Sequence, residues 1–123
     1  MTESEFLEAI NLHASNVITG FSVYLTYLFG YIAGAYVVGA KLSKTQIAII
    51  SSIYIASSFA WMAAILTHAH SFASLVAEYP DYVPSPFWSL PWPELASGIA
   101  FAAFLGSLYF VYDIRSNARK SGT

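Results

Sequence analysis

The chain has 123 residues, of which 57% are hydrophobic, 17% aromatic and only 10% charged, with a net charge of −2. Soluble domains carry about 25% charged residues, so this composition excludes an ordinary soluble globule and, with five cations in all, argues against nucleic acid as a partner. The absence of cysteine removes disulfides, thiolate metal centres, iron–sulfur clusters and cysteine nucleophiles from consideration.

At the start, Met1 to Glu8 carries three glutamates and neither Lys nor Arg, the reverse of a secretory signal peptide, so the N-terminus is expected to be retained. Thr2 and Glu5 fit a capping box, in which hydroxyl and carboxylate satisfy each other's backbone donors. The first helix is therefore predicted over about residues 3–40. Phe6, Leu7 and Ile10 stripe its opening turns, an apolar face that suits the membrane surface or docking on the outer loop, although a frayed helical extension is the favoured expectation. From Val17 to Ala40 no residue is charged, and roughly 20 apolar residues suffice to cross a bilayer, so 17–40 reads as the first span.

The connection at Lys41 to Lys44 is so short that the next helix must run back antiparallel. That second helix is predicted over about 45–77, with Ile47 to Leu66 as its strongest apolar part. All five prolines fall between Pro80 and Pro93, so 78–93 reads as a loop rich in Pro and Trp. A third helix is predicted over about 94–114, followed by a basic tail, 115–123.

Charge orients this hairpin-plus-one. All five cations, Lys41, Lys44, Arg115, Arg119 and Lys120, fall at one end, and cations in short loops stay cytoplasmic. Six of the seven carboxylates fall at the other, Asp113 being the exception, for which a salt bridge to Arg115, Lys41 or Lys44 is expected. Trp88 and Trp92 mark the outer interface, Tyr109 and Tyr112 the inner one. The predicted fold class is all-α: a single membrane domain of three transmembrane helices, N-terminus outside and C-terminus cytoplasmic, in the plasma (inner) membrane of a prokaryote.

Functional signals are fewer. Gly30 and Gly34 form a GxxxG pair, and Gly98, Ala102 and Gly106 recur at four-residue intervals. Small residues on one face let helix backbones approach closely, either within the chain or between chains. On the first helix, Asn16, Tyr24, Tyr27 and Tyr31 share a sector, and Tyr54, Ser58 and Trp61 share one on the second. Two such faces either line a pathway for a small solute or ion, or pack with hydroxyls bonded across helices.

His13 and His68 are expected at similar depth near the outer ends of antiparallel helices, the arrangement needed for a bis-histidine b-type haem or a divalent transition metal, with Gly20 easing approach of a macrocycle. His70 points to the opposite face from His68. A haem anchor of this kind resembles, in architecture alone, the three-helix membrane anchors of succinate dehydrogenase; no motif is matched and no site is carried over.

The chain has no P-loop, HExxH, GxSxG or nucleotide fingerprint, and no intramembrane lysine. No catalytic residue is assigned. The leading expectation is a non-catalytic membrane subunit without a cofactor, packing by its small-residue faces onto copies of itself or other membrane subunits within the lipid bilayer, with Trp88 and Trp92 in an outer docking loop. The alternatives are an oligomeric transporter or channel, and a haem-bearing electron-transfer anchor.

Overall fold

The computed structural model describes residues 1–120. Three helices carry the described chain: α1 (Glu3–Val38), α2 (Lys44–Glu78) and α3 (Trp92–Lys120), joined through short 3-10 turns. All three are long and apolar enough to cross a membrane.

Local chemistry sets their ends. At the start of α1, Glu5 N–H donates to the Thr2 hydroxyl at 3.2 Å and Thr2 N–H donates to the Glu5 carboxylate at 2.7 Å, the reciprocal capping box. Ser43 and Gln46 repeat the device at α2, a pattern present in the sequence but not read from it. Pro80 disfavours the helical region for the residue before it, and Tyr79 leaves the helix with φ −124° and ψ 63°, which stops α2 at Glu78.

Two boundaries differ from expectation. α3 begins at Trp92, before Pro93, because a first-turn proline lacks only an N–H that would have no partner there anyway. It then continues through the basic segment, so 115–120 is helix and not a tail; 121–123 lie outside the described residues. Arg119 and Lys120 fall in its last turn, where cations complement the negative end of the helix dipole.

At 1.5 Å per residue, the 36 residues of α1 reach ~54 Å and the 35 of α2 about 52 Å, well beyond a ~30 Å hydrocarbon core. The surplus is put to use at the loop end of the bundle. Phe6 and Ile10 of α1 are fully buried with Phe72 and Val76 of α2, and Tyr79, Tyr82, Trp88 and Trp92 close over them. Phe6 meets Tyr79 at 5.9 Å and Tyr82 at 5.7 Å between ring centroids, in tilted geometry. The expected frayed extension is therefore a docked helix, because the prolines fold the loop back onto it.

A second cluster fills the middle of the bundle, built on Tyr24, Leu28, Tyr54, Met62, Ile65 and Phe104. Gly20 makes room there for the Ile65 side chain: a Cβ at that position would stand 2.9 Å from Ile65 Cγ1. Outside these clusters the helices present Ile18, Phe29, Ile53, Phe59, Ile99 and Phe110 to their surroundings, and less than a third of each apolar stretch is buried within the chain.

Candidate functional site

The aromatic and hydroxyl residues picked out on α1 and α2 face one another, and α3 completes their surroundings. Tyr24 is buried and its hydroxyl donates to the Ala100 carbonyl of α3 at 3.2 Å. Tyr54 is also buried; its hydroxyl lies 2.5 Å from Ser107 Oγ, which in turn donates to the Phe104 carbonyl at 2.6 Å. With the serine proton directed at that carbonyl, Tyr54 is the donor. Tyr31 stacks on Tyr54 with centroids 4.0 Å apart and an interplanar angle of 6°, and its hydroxyl meets Ser51 at 2.8 Å. Tyr27 donates to Ser57 at 3.3 Å. Each of these four tyrosine hydroxyls is thus bonded across helices.

Trp61 packs half-buried against this cluster, and Asn16 is half-buried nearer the loop end. Ser58 is fully buried and its hydroxyl has no hydrogen-bond partner. Ser107 and Ser51, which complete the Tyr54 and Tyr31 contacts, were not singled out from sequence. Ser107 carries a readable signal: at 100° per residue it falls on the same face of α3 as Ala100, Phe104 and Val111, the buried side.

His13 and His68 come together with Nδ1 atoms 3.2 Å apart and ring centroids separated by 5.4 Å. They lie beyond the uncharged 17–40 and strongly apolar 47–66 stretches. One Nδ1–H donates and the other nitrogen accepts, so the two rings take different tautomers. Burial, and then the neighbouring His68 ring, hold the His13 imidazole below its ordinary pKa. His70 is exposed. The space expected beside Gly20 for a macrocycle is occupied by Ile65. Among the described residues, no group of three His, Cys, Asp or Glu side chains converges around the pair.

The glycine stripes behave differently from the tyrosines. A Cβ at Gly30, Gly34, Gly98 or Gly106 would meet nothing within 4 Å, and Ala102 is exposed. None of these positions packs against another helix of the same chain. On α3 the stripe lies about 120–160° around the helix from the buried face, nearly on its far side. Among the described residues, the glycines that do pack within the chain are Gly20 and Gly39, which the GxxxG pattern does not include.

Trp88 and Trp92 turn inward. Both are half-buried and line an apolar cavity of about 370 Å³ with Phe21, Phe72, Phe87 and Leu95, of which Phe87 is itself largely exposed, as is Leu90 of the same loop. At the basic end, Arg115 donates to the Gly39 carbonyl and not to Asp113, whose carboxylate accepts from Asn117 at 3.4 Å. The expected salt bridge is replaced by a tie between α3 and the end of α1. No known protein family, curated protein or solved structure matches the chain.

Proposed function

We propose that this chain is a non-catalytic integral membrane subunit, inserted with its N-terminus outside and its C-terminus cytoplasmic in the plasma membrane of a prokaryote. Its small-residue faces pack against copies of itself or against a larger membrane protein. The observation that carries this reading is that Gly30, Gly34, Gly98, Ala102 and Gly106 are unused inside the chain. A helix position facing only lipid gains nothing from glycine, which costs roughly 1 kcal/mol relative to alanine in a helix interior. Between helices the same residue allows close backbone contact and interlocking side chains, the main source of association where lipid is as apolar as leucine. The hydroxyls of Tyr24, Tyr27, Tyr31 and Tyr54, by contrast, are already engaged within the bundle.

Native mass measurement after extraction in mild detergent tests the proposal. The expected result is an assembly larger than one chain, with Gly98→Leu and Gly106→Leu together shifting it to a single chain of unchanged helix content. A single-chain mass for the natural sequence, or an assembly indifferent to both leucines, overturns the reading. A C-terminal reporter is expected to read as cytoplasmic; an external one overturns the orientation.

A further inference from the structure

At the basic end of the bundle, four of the five cations line one crevice. Lys44 from the first turn of α2, and Arg115, Arg119 and Lys120 from the last turns of α3, surround about 400 Å³ together with Ile47, Tyr112 and Ser116. No carboxylate is among the described lining residues. Arg115 is fixed at one side by its hydrogen bond to the Gly39 carbonyl, so one guanidinium is oriented in advance. Lys41 sits at the same end, in the turn after α1, but takes no part in the lining.

We infer that this crevice binds the headgroup phosphate of one anionic phospholipid. Four like charges held in one concavity repel one another, and an anion placed among them relieves that repulsion. The Tyr112 and Ser116 hydroxyls add uncharged donors. Ile47 opens the apolar stretch of α2, so the crevice straddles the boundary between polar and apolar surface, where a phospholipid carries its phosphate above its acyl chains. A free phosphate would use only the polar half. Basic pockets between membrane helices on the cytoplasmic side take anionic headgroups in this manner. The inference rests on the membrane reading of the chain and is independent of its self-association.

Alkaline carbonate washing of membranes comes first, so that a failed membrane reading and a failed lipid site register as different results. The full chain, purified in a neutral detergent, is then titrated with phosphatidylglycerol or phosphatidylcholine and followed by native mass spectrometry. One phosphatidylglycerol per chain is expected to be retained, and phosphatidylcholine is not. Lys44→Gln and Arg119→Gln, both at exposed positions, are each expected to weaken retention about fivefold, as removal of one surface cation does. Lys41→Gln is expected to leave it unchanged. An equal loss with Lys41→Gln would mean diffuse attraction, and displacement of the lipid by millimolar inorganic phosphate would mean a free-anion site. Either result, or equal retention of phosphatidylcholine, overturns the assignment.

Discussion

Tyr54 shows how a polar residue is accommodated in an otherwise apolar bundle. It is stacked between Tyr31 and Phe104 and bonded to Ser107, whose own proton goes to a backbone carbonyl. Tyr54→Phe removes one hydrogen bond without orphaning Ser107, so the cost is small: about 0.6 kcal/mol, the average for a hydrogen bond between membrane helices. Reversible unfolding in detergent checks this, and Ser107→Ala introduced on top of Tyr54→Phe should add much less than it costs alone. His13 behaves differently because it titrates. Its folded-state pKa is depressed from an ordinary 6.5, so its contact with His68 contributes fully above that value. The contribution is lost as pH falls from 6.5 towards the folded pKa, because protonation puts a charge on a ring whose burial, and then the neighbouring His68 ring, disfavour it. Protection of the amides around residues 13 and 68, measured relative to their base-catalysed intrinsic exchange at each pH, should fall between pH 7.5 and 5.5, and His13→Phe should abolish that dependence.

Among the elements, the first turns of α1 are the least expected part of the fold. Their stripe of Phe6, Leu7 and Ile10 is readable as one apolar face with the outer loop among its candidate covers, but nothing in the local pattern chooses the loop over the membrane surface or a frayed end. The cover comes from residues some 70 positions later, where prolines bend the chain so that Tyr79 and Tyr82 reach Phe6. Phe6→Ala should cost about 3 kcal/mol, the lower end for a buried phenylalanine. The loss should be seen as raised protease sensitivity of the loop 79–91 with α2 and α3 intact. α3 makes the complementary point. It continues to Lys120, beyond the end expected at about residue 114, because the composition turns polar at Asp113 while the helical hydrogen bonding goes on. Hydropathy marks where a span leaves the hydrocarbon, not where its hydrogen bonding stops.

For the molecule as a whole, the two kinds of glycine divide the surface into parts satisfied within the chain and parts that are not. Gly20 and Gly39 sit where a side chain would meet Ile65 or Arg115, whereas the GxxxG pair and the α3 stripe face outwards. Spacing alone could not distinguish them, because every position four residues on lies on the same face whether or not a helix of the same chain covers it. The sequence by itself determined three long apolar helices, the breaks between them, the capping box at Thr2 and the gathering of all cations at one end. These follow from local chemistry: runs of apolar residues, prolines that cannot donate, and hydroxyls that cap. Only the tertiary structure decided which faces meet. It engaged the tyrosines with Ser51, Ser57, Ser107 and the Ala100 carbonyl, turned Trp88 and Trp92 inward, and closed Lys44 and Arg119 into one crevice. Those outcomes depend on the rotation of each helix about its axis, which uniformly apolar surroundings leave unspecified and interhelical packing fixes.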